Sequence, residues 1–448
     1  MLEGYGLKRE HLKRAKEKGV SLVVTVDCGI SDIDEVEEAT SYGLDVIVTD
    51  HHTVKGDIPP AHAVLNPKRP DCSYPMRDLA GVGVVFVLVC VLRRMMRERG
   101  LFRGKSEPNL LRYLDLVAIG TVADIVPLLG DNRIYVRYGL EEIRRNPRPG
   151  VSALLDVAGV RREYFDEVDI GFRLGPRLNA AGRMGNSFLS SLILVEESPL
   201  RAMEMARLLA EQNTERQSVE GAILREAERA LERIELEDRR TIVLWQEGWH
   251  PGVIGIVASR ILERYGRPTI IFSLEGAEAR GSARSLPGVN IMELLKRCER
   301  WIETYGGHAQ AAGLVVRRSN LESFARALEE EARGIVRGED LEREICIDGE
   351  VTLDELTERF FSEVSLLAPF GEGNQEPLFL ARGAKIVNYE KKRNYTSFRV
   401  SQNGVVQDVI SSFLPDGISA GDRVDILFSP RESGRGRGKL FLRDLTPS

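Results

Sequence analysis

Residues 21–52 read SLVVTVDCGISDIDEVEEATSYGLDVIVTDHH, and two short apolar runs within them set the architecture of the amino-terminal part. The runs Ser21–Val26 and Leu44–Thr49 are rich in β-branched residues and carry few charges, as is typical of buried parallel strands. Between them, Ser31–Tyr42 has a helical pattern that opens with a serine three residues before Asp34, the spacing of a capping box. A repeat of about 24 residues matches a βα unit. The pattern therefore predicts a doubly wound parallel α/β sheet.

Two helical regions follow this sheet. Apolar residues at helical spacing predict a buried helix that ends just before Asp124; they are Leu110, Leu111, Leu114, Val117 and Ala118. Farther along, Glu197–Leu236 is rich in Ala, Glu, Arg and Leu and contains one proline and one glycine, Pro199 and Gly221. This composition predicts one or two long helices that connect domains.

A second α/β unit and a β-rich region complete the chain. The unit consists of a strand at Thr241–Trp245, a helix from about Gly252 to Tyr265 and a strand at Pro268–Ser273. Past Gly338, short strands separated by Gly- and Asn-containing turns predict a small β-barrel. The predicted strands are Glu344–Val351, Ala384–Tyr389, Ser397–Val400, Arg423–Phe428 and Leu440–Leu445.

Length and composition limit the class of protein. A chain of 448 residues with 43% hydrophobic and 29% charged residues is typical of a globular protein with about two to four domains. It has no apolar run of about 18 residues, and its first residues are charged, which argues against a membrane span and a signal peptide. The five scattered cysteines include no CxxC pair, which argues against a disulfide framework and a zinc site. A net charge of −6 means that a polyanion would need local basic patches. We expect a cytoplasmic protein.

Acidic and histidine side chains follow the two predicted strands. Asp27 ends the first strand, and Asp50, His51 and His52 end the second. Because the carboxyl ends of parallel strands face one crevice, these side chains should converge there. Mixed nitrogen and oxygen ligands without a thiolate favour Mn²⁺, with Mg²⁺ as the alternative. Asp124 offers a further carboxylate from a helix end. The competing interpretation is structural, since an Asp at a strand end is often a cap and a His pair is often surface or core filler.

Several motifs, in order, resemble one family. VTVDCGI (24–30), VTDHH (48–52) and GTVAD (120–124) resemble the successive motifs of the DHH phosphoesterase superfamily. LGPRLNAAGR (174–183) is similar to its RecJ branch in particular. GWHPGVIG (248–255) and GGHAQAAG (306–313) resemble the DHH-associated domain, and PFGEGN (369–374) resembles the carboxy-terminal region of RecJ, which has an OB-like fold.

The resemblance implies a domain organisation. A parallel-sheet DHH domain lacking its first strands would occupy residues 1–150, and a connector with a long helix would occupy 151–237. A second α/β domain, the DHH-associated substrate-binding domain, would span 238–338, and an OB-like β-barrel that binds nucleic acid would span 339–448.

The resemblance also implies roles for the clustered side chains. Asp27 would bridge two metal ions, and His51 and Asp124 would complete one of the two sites. Asp50 would act beside them as a ligand or outer partner, and His52 would contact the scissile phosphate. The chemistry would be two-metal phosphodiester hydrolysis with Mn²⁺ or Mg²⁺.

One family motif is absent from the sequence. The family carries Asp-x-Asp at the end of a strand upstream of Asp27, yet residues 1–20 read as one charged helix and Asp27 is the first aspartate. We therefore expect either a start assigned too late or a natural remnant, with weak or no activity for this polypeptide alone.

Three further groups are candidates for nucleic-acid contacts. Arginine forks grip phosphates, and Arg173, Arg177 and Arg183 lie with Asn179 in a glycine-rich segment. Ser282, Arg284 and Ser285 would form a turn that holds a terminal phosphate, and Gly306, Gly307 and His308 would line the same cleft, as the resemblance implies. Basic and aromatic residues in the predicted barrel suit sequence-tolerant binding of single strands; they are Lys391, Lys392, Arg393, Tyr395, Arg431, Arg435, Arg437 and Lys439.

The resemblance implies a 5′-to-3′ exonuclease for single-stranded DNA that serves recombination and repair. Candidate partners are single-stranded DNA, a single-strand-binding protein and a helicase, with no membrane. Two alternatives stay open: a DHH phosphodiesterase of short oligonucleotides or cyclic dinucleotides, and a non-catalytic DNA-binding remnant.

Overall fold

A computed structural model of the protein describes residues 6–184, 188–337, 345–392, 395–411, 419–433 and 437–448. The chain divides into two units. The first comprises Met1–Pro176, Ile193–Met203 and Cys346–Ser448, and the second comprises Arg177–Leu192 and Glu204–Ile345. Each unit is described below by itself.

A three-stranded parallel sheet opens the first unit. Helix α1 (Arg9–Glu17) precedes strand β1 (Leu22–Val26), and helix α2 (Ile33–Ser41) connects β1 to β2 (Asp45–Thr49). The third strand, β3 (Ala63–Leu65), pairs with the other side of β2. One face of the sheet packs on the two helices through buried apolar side chains; they include Leu12, Val36, Ala39, Val46 and Val48. The predicted parallel βα unit is confirmed.

A series of helices follows the first sheet along the chain, and its members belong to both units. They are α3 (Gly81–Glu98), α4 (Leu114–Ala123), α5 (Gly130–Arg145), α6 (Pro149–Val157), α7 (Glu167–Asp169), α8 (Gly175–Met184), α9 (Phe188–Val195) and α10 (Pro199–Leu231). A π-helical turn, Ile170–Leu174, leads into α8. The long connector is a single helix of 33 residues. It begins with a proline at its first helical position, where the missing N–H costs no hydrogen bond.

The second unit contains a five-stranded mixed sheet with the order β4-β5-β6-β8-β7. Its elements are β4 (Ile242–Glu247), α11 (Ile254–Tyr265), β5 (Thr269–Glu275), β6 (Glu278–Arg284), α12 (Ile291–Arg297), β7 (Ile302–His308), β8 (Ala311–Arg317) and α13 (Leu321–Ile335). Strands β4 and β5 are parallel, and the other pairs are antiparallel. Helix α11 ends at Tyr265 and is followed by Gly266, whose φ of 62° is the left-handed conformation that commonly terminates helices.

A closed β-barrel forms the carboxy-terminal part of the first unit. Its elements are β9 (Gly349–Glu350), α14 (Glu358–Ser365), β10 (Phe379–Lys391), β11 (Thr396–Gln402), β12 (Val405–Ser411), β13 (Arg423–Ser433) and β14 (Arg437–Pro447). The strands pair in the order β11-β12-β14-β13-β10, and β10 also pairs with β11, which closes the barrel. This arrangement confirms the predicted barrel.

Some local predictions were wrong. The capping box at Ser31 and Asp34 does not form, because α2 begins at Ile33 and Asp32 occupies the N-cap position. Strands β3, β6, β7, β8 and β12 were not predicted; β3 has only three residues, and β12 (VVQDVIS) does not alternate polar and apolar side chains. The strand expected at Glu344–Val351 is limited to Gly349–Glu350, and its first residue lies outside the described residues. Of the helix expected over residues 1–20, the structure contains Arg9–Glu17, and residues 1–5 lie outside the described part.

Among the described helices, none combines the length and the apolar composition that crossing a bilayer requires.

Candidate metal centre and phosphate pocket

Four polar side chains meet at the carboxyl-terminal edge of the first sheet. Asp27 directly follows β1, and Asp50 and His51 directly follow β2. The parallel register pairs Val26 with Thr49, so these residues leave the sheet side by side. Asp124 caps the carboxyl end of α4. The convergence expected from the strand ends therefore forms in the structure.

His51 lies at the centre of this group. Its Nε2 atom is 3.0 Å from Asp27 Oδ1 and 3.3 Å from Asp124 Oδ2, and its side chain is only 7% exposed. Asp27, His51 and His52 each offer a ligand atom within 4.8 Å of the others. Three side chains from two strand ends and one from a helix end thus point their ligand atoms at one small volume.

The donor set fits a divalent cation. Both ring nitrogens of His51 are buried without a hydrogen-bond partner among the described residues, although Nε2 approaches two carboxylates. Short approaches without hydrogen-bond geometry are what ligands that converge on a cation show. Imidazole nitrogen combined with carboxylate oxygen suits Mn²⁺, and carboxylates alone suit Mg²⁺. Asp27, His51 and Asp124 are therefore the residues that would hold the ion.

The electrostatics at Asp124 agree with this assignment. Burial raises the pKa of Asp124 above its ordinary value, and the nearby Asp27 carboxylate raises it further, while His51 lowers it. Two carboxylates that share one site disfavour each other's charge. A bound divalent cation would reverse that penalty, because its charge stabilises both carboxylates.

Asp50 is directed at His52 and the backbone. Its buried carboxylate accepts hydrogen bonds from the backbone N–H groups of Ile30 (2.9 Å), His51 (2.7 Å) and His52 (3.1 Å), and it lies 2.7 Å from His52 Nδ1. Burial alone would raise the pKa of Asp50, but these bonds lower it to about 2. Asp50 is therefore ionised, and it orients the imidazole of His52.

His52 is the more exposed of the two histidines, at 49% of its side chain. The hydrogen bond to Asp50 raises the pKa of His52, and burial opposes this effect. Asn66, which follows β3, donates from Nδ2 to the His52 carbonyl at 2.9 Å and so stabilises the backbone at His52. Asn66 was not predicted as a site residue. The only sequence signal was a short apolar run, Ala63–Leu65, before an Asn-Pro pair.

The backbone around the centre is held in rare conformations. Asp27 and Ile125 have φ values of 66° and 57°, in the left-handed region that non-glycine residues seldom adopt. Such strain clusters at functional sites because the surrounding structure must hold it. At Gly81, the first residue of α3, a Cβ atom would lie 2.5 Å from Asp27 Oδ1. Sequence reasoning missed Gly81, since nothing local distinguishes it from other glycines.

The predicted phosphate-binding residues of the second unit share one face of its sheet. Ser282 and Arg284 lie two residues apart on β6, so their side chains point to the same face. The register aligns Arg284 with Ala311 and Ala311 with His308, and it aligns Ser282 with Gly313 and Gly306. The expected turn at residues 281–285 was wrong, because Gly281–Arg284 is strand and only Ser285 lies beyond it.

Two guanidinium groups of the second unit, Arg284 on β6 and Arg183 on α8, are partly buried. Arg284 donates from Nη1 to Ser282 Oγ at 3.0 Å and to the Ala283 carbonyl at 2.8 Å, and Arg183 donates to the Gly252 carbonyl at 3.1 Å. Burial lowers the pKa of both groups, and for Arg284 the positive charge of Arg183 lowers it further. At Gly255, in the first turn of α11, a Cβ would lie 2.9 Å from both Ser282 Oγ and Arg284 Nη2. Two guanidiniums, a hydroxyl and the amino end of α11 are therefore candidate groups for binding an anion.

The other residues predicted to bind the terminal phosphate differ in their exposure and contacts. Gly307 has a tight backbone contact, since a Cβ there would lie 2.3 Å from the Ala311 carbonyl, whereas Gly306 and His308 are exposed. Ser285 is buried and donates its backbone N–H to Gln310 at 2.9 Å. Its hydroxyl lacks a hydrogen-bond partner among the described residues.

The arginine-rich segment before residue 185 is helical. Arg177, Asn179 and Arg183 belong to α8, while Arg173 lies in the preceding π-helical turn and pairs with Asp169 at 3.3 Å. Asn179 is exposed, and Arg177 is partly buried.

The barrel carries exposed basic and aromatic residues near the β10–β11 connection. Tyr389, Lys391 and Tyr395 are exposed, and Lys392 Nζ lies 5.5 Å from the centroid of the Tyr395 ring. Arg393, Asn394 and the tip residues 434–436, including Arg435, lie outside the described residues. Arg431 differs from the sequence expectation, because it is largely buried and pairs with Glu376 and Asp166.

Comparison with known proteins agrees with these features. Residues 5–121 match the DHH family, N-terminal domain, residues 238–334 match the DHHA1 domain, and residues 347–443 match the RecJ OB domain. Single-stranded-DNA-specific exonuclease RecJ of Haemophilus influenzae is 36% identical over 91% of this chain and 73% of its own length. The protein of that name from Bacillus subtilis is 34% identical over all of this chain and 56% of its own length.

Solved structures extend the similarity to the fold. RecJ of Thermus thermophilus in complex with Mn²⁺ superimposes with a TM-score of 0.82 and 31% identity, over 98% of this chain and 64% of that chain. The same protein in complex with Mg²⁺ gives a TM-score of 0.75 and 28% identity, over 98% and 70% of the two chains. Three domain matches in order, relatives above 30% identity and a shared fold agree on one assignment. The chain belongs to the RecJ family of single-stranded-DNA-specific exonucleases.

Proposed function

We propose that this protein hydrolyses phosphodiester bonds of single-stranded DNA from the 5′ end, with Mn²⁺ or Mg²⁺, in recombination and repair. The observation that carries the proposal is the convergence of Asp27, His51, His52 and Asp124 on one volume at the edge of the first sheet. The family assignment supports the reaction, and the 5′-to-3′ direction is adopted from the resemblance. The proposal includes a cytoplasmic location and, as protein partners, a single-strand-binding protein and a helicase.

The side chains of the first unit have different roles in hydrolysis. Asp27, His51 and Asp124 would hold the metal, and a divalent ion bound there would supply activation of water and neutralisation of phosphoryl charge. His52, with its Nδ1 atom tied to Asp50, presents its opposite ring nitrogen to an oxygen of the scissile phosphate. Because the Asp50 carboxylate supports the protonated imidazole, His52 can donate a charge-assisted hydrogen bond there.

The second unit and the barrel would hold the strand. Arg183, Ser282 and Arg284 form the pocket for the terminal phosphate, with Ser285, Gly306, Gly307 and His308 beside it. Arg177 and Asn179 would contact the backbone from α8. In the barrel, Tyr389 and Tyr395 offer stacking surfaces for bases, and Lys391 and Lys392 offer charge for phosphates, a combination that binds single strands with little sequence preference.

The proposal is tested by digestion of end-labelled oligonucleotides. In Mn²⁺, we expect single-stranded DNA labelled at its 5′ end to release labelled mononucleotide early, and duplex DNA of the same sequence to resist. His52→Ala should abolish cleavage, while His62→Ala, which changes an exposed histidine outside the cluster, should not.

Three outcomes would contradict the proposal. They are equal cleavage of single and double strands, full activity in His52→Ala, and cleavage of a cyclic dinucleotide in preference to a longer strand. The last outcome would favour a phosphodiesterase of short substrates.

A further inference from the structure

A turn of the barrel region packs against the loop that follows Asp124, and neither segment has a role in the proposed function. The turn is PFGEGN (369–374), which lies between helix α14 and strand β10. The loop is residues 125–129, which connect Asp124 to helix α5, and both segments belong to the first unit. The backbone N–H of Leu128 donates to the carbonyl of Glu372 at 2.7 Å. A backbone hydrogen bond thus joins two segments that lie far apart in the chain.

Two glycines let the 369–374 turn approach the 125–129 loop closely. At Gly371, a Cβ atom would lie 2.8 Å from Cδ1 of Leu128, whose side chain is buried. Gly373 has a φ of 69°, and a Cβ atom there would lie 3.2 Å from Pro127 and 3.4 Å from Leu129. The turn therefore packs against three consecutive residues of the loop, and a methyl group at either glycine would crowd them.

The 369–374 turn is itself held in one shape. Gly371 and Asn374 exchange two backbone hydrogen bonds, at 2.9 and 3.1 Å. The Asn374 side chain donates from Nδ2 to the carbonyls of Leu367 and Pro369, at 2.9 and 2.8 Å. Because these bonds restrain both ends of the turn, it offers the loop a fixed surface.

The 125–129 loop needs such a support, because it leaves the candidate metal centre through a strained residue. Asp124 ends α4 with its backbone N–H bonded to the Gly120 carbonyl at 2.9 Å, and Ile125 follows with a φ of 57°. A β-branched residue in the left-handed region is rare and persists only where its surroundings restrain it. Farther along, the buried Asn132 side chain donates to the carbonyl of Pro127 at 2.9 Å. The position of the Asp124 carboxylate therefore depends on contacts made by the residues that follow it.

We propose that the 369–374 turn is a positioning element for Asp124 and thereby sets the affinity of the candidate metal centre. This inference rests on the proposed function, because it assumes that Asp124 holds the metal. The turn acts through the loop: it fixes Pro127 and Leu128, and these residues restrain the strained backbone next to Asp124. Such coupling is reciprocal, so metal binding strengthens the contact between turn and loop.

The first test measures Mn²⁺ binding to the intact, metal-free chain from the electron paramagnetic resonance signal of free Mn²⁺. In Gly373→Ala, the added methyl group crowds Pro127 and Leu129 and shifts the turn away from the loop. We expect Mn²⁺ to bind about tenfold more weakly, the lower end of the range for losing an outer partner of a metal ligand.

Gly404→Ala is the matched control. Gly404 also lies in the barrel region and has a φ of 79°, but a Cβ atom there would meet nothing within 4 Å among the described residues. Both substitutions place alanine in a left-handed conformation, so both should lower the midpoint of urea unfolding. Only Gly373→Ala should lose Mn²⁺ affinity, which separates a role in positioning from a role in stability alone.

A second variant and a second measurement avoid dependence on the folding of Gly373→Ala. Asn374→Ala removes the two side-chain hydrogen bonds that hold the turn and adds no atom, so it should weaken Mn²⁺ binding by a smaller factor. In the parent, Mn²⁺ should slow hydrogen exchange at the Leu128 amide more than in strand β11, as measured by mass spectrometry. This difference should decrease in Asn374→Ala.

The inference is overturned if neither turn variant loses Mn²⁺ affinity, if Gly404→Ala loses as much as they do, or if Mn²⁺ leaves exchange at Leu128 unchanged. Failure of the proposed function has a different signature. In that case Asp124→Asn and His51→Ala would bind Mn²⁺ as tightly as the parent. If those two variants lose Mn²⁺ and the variants of the 369–374 turn do not, only the role of the turn is wrong.

Discussion

At the scale of single residues, the carboxylates at the candidate metal centre have different tasks. Asp27 and Asp124 approach His51 Nε2, where a cation would lie, while Asp50 is fully engaged with backbone N–H groups and with His52. An ionised, buried carboxylate that accepts several hydrogen bonds fixes the geometry of the groups that donate them. The orientation of His52 therefore depends on a residue that does not face the metal.

This dependence predicts the effect of Asp50→Asn. The amide removes the charge behind His52 and places a donor where only acceptors fit, so kcat on single-stranded DNA should fall about 10- to 100-fold, the range for losing an outer partner of a metal site. Asp45→Asn is the control, because Asp45 lies on the same strand and is exposed. Equal kcat values for the parent and Asp50→Asn would contradict the assigned role.

At the scale of elements, the centre requires close packing of a helix end against a strand end. The first turn of α3 meets Asp27 at Gly81, where no side chain fits. Two residues later, at Gly83, a Cβ would have only an ordinary contact of 3.4 Å with Leu79. Close packing against Asp27 thus requires glycine at position 81, whereas position 83 has room for a side-chain methyl group.

We expect Gly81→Ala to weaken Mn²⁺ binding about tenfold or more, because the methyl group must displace the Asp27 carboxylate. Gly83→Ala should leave Mn²⁺ binding unchanged and raise the free energy of unfolding by up to about 1 kcal/mol, since alanine favours helix over glycine. Mn²⁺ titration and urea denaturation of both variants measure these effects. Equal Mn²⁺ affinity in the two variants would refute the packing argument.

At the scale of the whole first unit, the barrel region is joined to the helices by polar contacts. Glu167 of α7 is 8% exposed and accepts the backbone N–H of Phe370 at 3.0 Å. Arg133 of α5 donates to the carbonyls of Leu366 and Leu367 at 3.0 and 2.9 Å. Such contacts between segments far apart in sequence fix the barrel on the helical part of its unit.

The pKa of Glu167 predicts a pH dependence of stability. Burial raises this pKa, and the hydrogen bond from Phe370 opposes the effect. The folded state therefore holds the proton more tightly than the unfolded chain. The resulting stabilisation is fully present below about pH 4.3, the ordinary value for Glu, and is lost as pH rises through the raised pKa.

Glu167→Gln is neutral at every pH, so its free energy of unfolding should increase relative to the parent as pH rises from 4.5 to 7. Urea denaturation at several pH values measures the difference. Glu163→Gln, at an exposed position nearby, should show no such trend. A constant difference between parent and Glu167→Gln across this range would contradict the expectation.

The amino-acid sequence by itself determined the local elements and the chemistry-bearing residues. Strands β1 and β2 followed from short β-branched runs with few charges, helix α10 from its helix-favouring composition, and the barrel from short strands separated by Gly- and Asn-containing turns. Asp27, Asp50, His51, His52 and Asp124 were identifiable because strand and helix ends are visible locally, and the family motifs pointed to them. The elements that were not predicted from the sequence, such as β3 and β12, are short or weakly apolar.

Only the tertiary structure decided what each of these residues contacts. That Asp50 turns to His52, that Gly81 must make room for Asp27, and that Ser282 and Arg284 share a strand face with His308 all depend on pairings between distant segments. Sheet register and helix packing arise from the joint burial of many side chains, and no local pattern encodes them. The sequence thus identifies the candidate residues of the site, and the packing of the chain determines which groups each of them contacts.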